Sequence, residues 1–219
     1  KKINNFNLRN KDLFLEFIFV DGGSTDNSLN IAKQFNKFKI YSLRNEGRGY
    51  AINYGIKRAK GDIIAVFPTD DEYTVSDLEL MIKNIINSNE KVIYGSRLIK
   101  CINLSDQIKK VYKKNYFGYA ISKYGGLFIS ILTLLLYNRF ITDPFSTVKV
   151  FRSNIIKNLK IHSTGVDYDI EQSIRLIKKN IYISEYPVKF IGRNYNNGKK
   201  ITIKDGLNCI FRLFKLKFT

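Results

Sequence analysis

The sequence predicts an α/β fold built on a mostly parallel, doubly wound sheet. Three observations carry that expectation. Short apolar runs alternate with helical segments over the first hundred residues. The runs are nearly unbroken in apolar character, as in strands covered on both faces. Turn and helix-start residues follow directly behind them, the pattern of successive βαβ units. In such sheets ligands sit beyond the carboxyl ends of the strands, so the residues just after each run are where chemistry is expected.

The first strand is expected in Phe14–Val20 and ends in DGGSTDNS, a turn with Ser24 or Thr25 as N-cap and Asp26 in the first helical turn. A helix of about ten residues follows, then a short strand at Lys39–Leu43. NEGRGYAINYGIKRAKG reads as a glycine-rich entry into a helix that stops at Gly61. Asp62–Phe67 is a buried strand ending in PTDDEYT, Ser76–Ile86 an amphipathic helix, and Lys91–Tyr94 a strand ending in GSR. Asp21, Asp70, Asp71 and Arg97 all fall at strand ends. Further on, Val148–Phe151 and Ile181–Phe190 read as strands, with a helix near Asp167–Lys179 between them.

The middle and the tail differ in character. Residues 109–124 are basic and aromatic, and 15 uncharged residues lie between Lys123 and Arg139. As a helix those residues reach about 22 Å, short of a hydrocarbon core of roughly 30 Å, so a buried or membrane-surface helix is expected rather than a span. In the tail, Leu207, Ile210, Phe211, Phe214 and Phe218 recur at helical spacing among Lys and Arg. That is either an interfacial amphipathic helix or an ordinary docked C-terminal helix.

Composition narrows the function classes. Two cysteines, Cys101 and Cys209, build no disulfide framework. A single histidine, His162, excludes His-based zinc sites and Ser-His-Asp triads as the main chemistry. Lys plus Arg total 37 against 19 acids, a net charge of +18, which attracts polyanions, anionic lipid or phosphorylated substrates. Abundant Lys, Asn and Ile also fit the residue bias of an A/T-rich genome, so charge alone selects no partner. The start is basic and polar, with no signal peptide visible.

Three motifs bear on chemistry. PTDDE, residues 68–72, gathers three acids behind a buried strand, an arrangement a hard divalent cation would offset; the alternative is a solvated turn capping the next helix. VDGGSTD, residues 20–26, brings backbone and a helix N-terminus close to a ligand, or is a plain βα turn. NEGRGYAIN, residues 45–53, has the wrong glycine spacing for a dinucleotide fingerprint.

In order along the chain, VDGGSTDNS, NEGRGYAINYGIKRAKGD, PTDDE, VIYGSRL, TDPFSTVKVFRSN, VDYDIE, ISEYPVKF and GRNYNNGKKITIKDG resemble a family 2 glycosyltransferase of the GT-A fold. Within it the likeness is to the dolichyl- or polyprenyl-phosphate sugar synthase branch. It runs from about Phe14 to the end and implies a single GT-A domain over residues 1–219, with an atypical segment 1–13, acceptor- or membrane-facing helices in 105–141 and a tail helix in 203–219. The resemblance implies a Mg²⁺ or Mn²⁺ ion on Asp70 and Asp71. It implies donor and acceptor contacts from Asp21, Gly23, Ser24, Asn45, Gly47, Arg97, Asp143, Arg193, Lys199 and Lys200. It implies catalytic roles for Asp71, Asp169 and Glu171.

The chain departs from the family pattern in four places. Gly22 stands where a second acid is usual, and Pro68 where the metal motif has its first acid. Thr147 and Lys149 replace the Gly and Arg of the segment after Asp143. Residues 1–13 match no P-x-Y-N-E-like opening strand, so the chain reads as a fragment, a truncated product or a degenerate copy. The expectation is therefore an inverting, metal-dependent transfer from a nucleotide sugar to an acceptor, with a polyprenyl phosphate at the anionic cytoplasmic face of the membrane as the implied acceptor. An already anionic phosphate acceptor needs no strong base; a hydroxyl acceptor would recruit Asp169 or Glu171. The alternative is a catalytically degenerate, membrane-surface binding module. Nucleic acid is not expected as a partner, because no recognised motif for it is present and the acids cluster at strand ends.

Overall fold

The computed structural model describes residues 13–99, 116–191 and 202–219, with side chains of the 116–123 segment outside the description. In chain order the elements are β1 (Phe17–Asp21), α1 (Ser28–Lys33), β2 (Phe38–Ser42), α2 (Arg48–Arg58), β3 (Ile63–Val66), α3 (Val75–Asn87) and β4 (Val92–Ser96). They continue with α4 (Tyr116–Tyr137), β5 (Lys149–Arg152), α5 (Ser153–Ile156), α6 (Asp167–Lys178), β6 (Ser184–Pro187) and α7 (Ile203–Phe218). Strands and helices thus lie where the apolar runs and turn residues put them.

The sheet has two parts. β1 and β2 pair in parallel, with Phe17 opposite Phe38 and Asp21 opposite Ser42. The other four strands run in the order β3-β5-β4-β6. β5 is antiparallel to both of its neighbours, whereas β4 and β6 are parallel. The antiparallel β5 is the exception within the mostly parallel expectation, and a strand covered on both faces reads the same in either direction.

Alternation along β4 and β5 divides the core. Ile93, Val148 and Val150 meet Leu78, Met81, Ile82 and Ile85 of α3 on one face. Val92, Tyr94 and Phe151 meet Ile56 of α2, Ile156 of α5 and Leu176 of α6 on the other. A third cluster joins Ile129 of α4 and Ile170 and Ile174 of α6 to Cys209, Leu213 and Leu216 of α7. α6 is therefore sandwiched between the sheet and the α4–α7 pair.

Some boundaries move. α1 is only six residues long and starts at Ser28, with Asn27 rather than Ser24 or Thr25 at the N-cap position. Asp26 instead accepts from the Ser28 amide at 3.0 Å. α3 begins behind Thr74, whose hydroxyl oxygen accepts from the Asp77 amide at 3.3 Å. α4 has 22 residues, about 33 Å of helix, because the helix continues through Lys123 into the aromatic segment before it. Among the described residues, no helix is long and apolar enough to cross a membrane. α7 opens with a full capping box between Thr202 and Asp205.

Candidate active site

The carboxyl end of β4 delivers Arg97, and the loop before β5 delivers Asp143. They form a bidentate pair, Nε to Oδ2 at 2.6 Å and Nη2 to Oδ1 at 2.7 Å, and the Arg97 amide also donates to Oδ2 at 3.1 Å. Asp143 is 2% exposed. Burial works against the Arg97 charge, but the Asp143 carboxylate outweighs it and raises the guanidinium pKa. The Asp143 loop is itself pinned from β6: Glu185 accepts from the Thr142 amide and hydroxyl at 2.8 and 2.6 Å and from the Asp143 amide at 3.1 Å. Asp143 thus acts on Arg97, leaving the guanidinium, which stacks at 5.2 Å over Phe190, as the group that can reach a ligand.

The acidic turn lies beside this pair. Tyr73 bridges to Phe190, and Ile191 donates to the Glu72 carbonyl at 2.9 Å, so the turn is tied to the strand end after β6. Burial raises the Tyr73 hydroxyl pKa, with opposing influence from Arg97 and reinforcing influence from Asp143 and Glu72; all four groups share one neighbourhood. Asp70 accepts from the Glu72 amide at 3.3 Å. Asp71 is exposed and sits at φ 63°, a left-handed conformation that Asp tolerates better than most residues and that concentrates at functional turns. Among the described residues, no group of three or more His, Cys, Asp or Glu is placed to hold a metal by itself. The donor set of two neighbouring carboxylates still fits Mg²⁺, which is commonly held by one or two carboxylates plus substrate phosphates.

Behind the turn lies a buried ion network that the sequence reading missed. Asp169, in the first turn of α6, accepts from Arg48 Nη1 at 2.6 Å and from Lys149 Nζ at 2.7 Å. Lys149 also donates to Gln172 at 2.9 Å and lies 4.4 Å over the Tyr94 ring. Burial opposes ionisation of Asp169, but Arg48 and Lys149 hold its pKa below the ordinary carboxylate range. Lys149 itself is lowered, chiefly by burial. Arg48 keeps 39% of its side chain exposed and is the network's outlet to solvent. Lys149, which replaces the expected Arg, fills a buried position in which a lysine ammonium meets two oxygen acceptors and an aromatic face.

Glu171 does not join Asp169. Two residues apart on a helix, they face different sides. Glu171 accepts from the Ser163 amide and hydroxyl at 2.8 and 2.6 Å and from Arg175 at 2.7 Å, with Arg212 of α7 at 3.7 Å. Burial raises its pKa, but the bonds from Ser163 and Arg175 more than compensate and hold it below the ordinary range. Both carboxylates expected to serve as bases are thus anchors for basic side chains and backbone.

The β1–β2 side carries the remaining calls. Asp21 is buried at the end of β1, accepting from the Ser24 amide at 3.2 Å and the Ser42 hydroxyl at 3.4 Å. Gly23, at φ 92°, lies so close to Asn45 that a Cβ would stand 3.0 Å from its amide nitrogen. Gly47, at φ 101°, faces the Thr164 carbonyl, where a Cβ would stand 2.4 Å away. A Cβ on Gly49 would run into Tyr168 at 2.5 Å, and the Gly49 amide donates to Thr164 at 2.7 Å. The glycines of NEGRGY therefore seat the start of α2 against the entry to α6, which brings Arg48 to Asp169. The Ser24 amide caps Asp21 and Gly23 packs on Asn45, whereas Gly47 faces Thr164. Arg193, Lys199 and Lys200 lie outside the described residues.

Comparison with known proteins identifies the family and the fold. Residues 4–144, more than half of the chain, match the family described as glycosyl transferase family 2. A UDP-N-acetylglucosamine–dolichyl-phosphate N-acetylglucosaminyltransferase from Methanococcus voltae is 27% identical over 98% of this chain and 89% of its own length. A low-salt glycan biosynthesis hexosyltransferase, Agl6 of Haloferax volcanii, is 23% identical over 84% of this chain and 41% of its own. Among solved structures, glucosyl-3-phosphoglycerate synthase of Mycobacterium tuberculosis with phosphoglyceric acid superposes with a TM-score of 0.62, at 13% identity, over 92% of this chain and 68% of that one. The same enzyme with Mn²⁺, UDP-glucose and phosphoglyceric acid gives 0.56 at 12% identity, over 92% and 68%. These likenesses establish a GT-A-type fold.

Proposed function

The chain belongs to glycosyl transferase family 2, and on that premise we propose that it is a metal-dependent, inverting transferase that moves a sugar from a nucleotide-sugar donor to a polyprenyl-phosphate acceptor. The observation that carries the reading is a bidentate, buried-acid-anchored Arg97 lying beside the Asp70–Asp71 turn at the carboxyl ends of β3 and β4, the two joined through Tyr73 and Phe190. A planar guanidinium held from behind presents its remaining N–H groups to phosphate oxygens. Asp70 and Asp71 would hold the divalent ion, which when bound neutralises charge developing on the diphosphate leaving group.

In the reaction an acceptor phosphate oxygen forms a bond to the anomeric carbon as the bond from that carbon to the donor diphosphate breaks. The nucleoside diphosphate leaves with the electron pair. Arg97 steadies phosphate charge on this path, Arg48 extends the cationic wall, and Asp169 with Lys149 keeps Arg48 in place. Asp21 and the Gly23–Ser24 and Asn45–Gly47 loops line the base side. The ion-paired state of Asp169 and Glu171 supports a phosphate acceptor over a hydroxyl one, because neither carboxylate is arranged as a proton acceptor and a phosphate at neutral pH requires none. The dolichyl-phosphate relative supports the same acceptor class, and with such an acceptor we infer that the protein works at the cytoplasmic face of the membrane.

Calorimetric titration with UDP-, GDP- and dTDP-sugars, with and without Mn²⁺, tests the donor. Metal-dependent binding to one of them, lost in Asp70→Asn, is expected; binding that ignores both metal and Asp70 overturns the assignment. A second reading, a binding module without transfer activity, is favoured by Gly22 and Pro68 standing where acids are usual. It predicts no donor binding under any of these conditions.

A further inference from the structure

α7 carries two apolar faces, and only one is used in packing. Cys209, Leu213 and Leu216 are buried against α6 and α4. On the opposite side Ile203, Leu207, Phe211, Phe214 and Phe218 follow one another at helical spacing within a stripe about 80° wide, and each is 41–82% exposed. α4 repeats the arrangement. Ile129, Ser130 and Thr133 are buried, while Leu127, Phe128, Ile131, Leu134 and Leu135 are 41–74% exposed. The two helices are neighbours: the Tyr137 hydroxyl donates to the Leu213 carbonyl at 2.7 Å, and the Lys217 ammonium sits 5.4 Å over the Tyr137 ring. Both rest on one core cluster, so both turn their other apolar face outward. Ten large apolar side chains on two adjacent helices exceed what a soluble surface ordinarily leaves open.

Charge indicates the occupant. Lys204 and Lys215 are exposed along one edge of the α7 stripe, and Arg139 is exposed just past the end of α4. Asp205 is the only acid on α7, and the cap of Thr202 engages it; α4 contains no acid. An apolar stripe edged by cations is the chemistry of a helix lying in an anionic lipid interface. We propose that the outer faces of α4 and α7 together form a bilayer-docking surface for anionic membrane. The proposal deepens the lipid-phosphate reading above and rests on it for its purpose. α7 also contacts the site helix, through Arg212 to Asp167 at 2.9 Å, so docking holds α6 and its Asp169 at a set height above the lipid.

The test is partition of this chain into sonicated vesicles of one part phosphatidylglycerol to two parts phosphatidylcholine at physiological salt. The double variant Leu135→Ser/Phe211→Ser replaces exposed residues and leaves the core intact. It should lower the partition coefficient at least about tenfold, because burying each large apolar side chain corresponds to roughly a factor of ten or more. Lys204→Glu/Lys215→Glu should weaken binding to anionic vesicles and leave weak binding to pure phosphatidylcholine unchanged. Absence of vesicle binding, or binding that the serine variant leaves intact, overturns the proposal. So does sedimentation showing that the same serine substitutions abolish a stable dimer, which would make a second copy the occupant. Nucleotide-sugar titration of the unsubstituted chain separates the two readings: donor binding without vesicle binding sinks only the docking surface, and vesicle binding without donor binding sinks only the transferase.

Discussion

The two parts of the sheet are built with very different amounts of cover. Every residue of β4 is buried, with α3 on one side and α2 and α6 on the other. β1 is as apolar as β4, yet four of its five residues are only half-buried, and no residue of β2 is more than half-buried. The four-stranded part carries Arg97, Asp143 and Lys149, each held by short charge-assisted bonds, and pairs with α6, which carries Asp169. The two-stranded part carries Asp21 and its loops, with the Asp21 carboxylate held by the Ser24 amide at 3.2 Å and the Ser42 hydroxyl at 3.4 Å. The difference teaches how the proposed labour is divided. Phosphate groups need rigid, preorganised charge, and the well-covered half supplies it; the base side needs shape more than charge and is built on the lighter half.

The comparison breaks most readily in the cores. Phe151→Ala, at a wholly buried position in β5, should cost about 3–5 kcal/mol of stability by urea unfolding. Phe19→Ala in half-buried β1 should cost only about 1–2 kcal/mol, since less apolar area is removed from water. Equal losses would show that the two parts of the sheet unfold as one equally covered unit.

Asp143→Ala comes next. It leaves the Arg97 guanidinium without its bidentate partner, and with Arg97 partly solvated the loss should be about 2–3 kcal/mol. Donor affinity should fall with it, because the guanidinium loses its aim. Asp143→Ala with full stability would mean that Arg97 finds another anchor. Gly49→Ala should cost about 1–3 kcal/mol by overpacking, since its Cβ would stand 2.5 Å from Tyr168.

A subtler effect is the acid limb of stability. Asp169 and Glu171 both have folded-state pKa values below their ordinary ones, Asp169 through Arg48 and Lys149 against the effect of burial, Glu171 through Ser163 and Arg175 against the same effect. Their contribution is complete above the ordinary carboxylate range and is lost as pH falls through that range toward the folded values. Asp169→Asn should therefore flatten the decline of stability between neutral pH and the acid region. An unchanged slope would show that the network does not carry the acid sensitivity.

What was legible in the sequence follows from distance along the chain. Apolar runs and turn residues are local, and they located the six strands among the described residues and the tail helix. The direction of β5 is not local, and a covered strand reads the same either way. Arg48 and Asp169 are 121 positions apart, so nothing near Asp169 announced that it was spoken for; a lone acid in the first turn of an amphipathic helix reads equally as a base or a cap. The one sequence signal that pointed to the network was Lys149 in place of Arg, an unusual cation inside an apolar strand, which requires a buried acid beside it. Glu185 left no such mark, because a Glu in a short strand near the surface is unremarkable until its three bonds are seen.

Gly22 gives the finest test of the division between the two parts. Unlike Gly23, Gly47 and Gly49, it has room: a Cβ would meet only the Ala51 methyl at 3.9 Å, and its φ is not positive. Its small side chain is therefore not required by the fold. Gly22→Asp should change stability by no more than about 0.5 kcal/mol, as for surface substitutions free of special contacts. If the β1 end recognises the nucleotide base, a second carboxylate beside Asp21 should alter the ranking of UDP-, GDP- and dTDP-sugars in titration while leaving the Mn²⁺ requirement as it was. If it shifts the metal requirement and not the base ranking, the end of β1 belongs to the phosphate side, and the light cover of β1 and β2 must be explained by something other than base recognition.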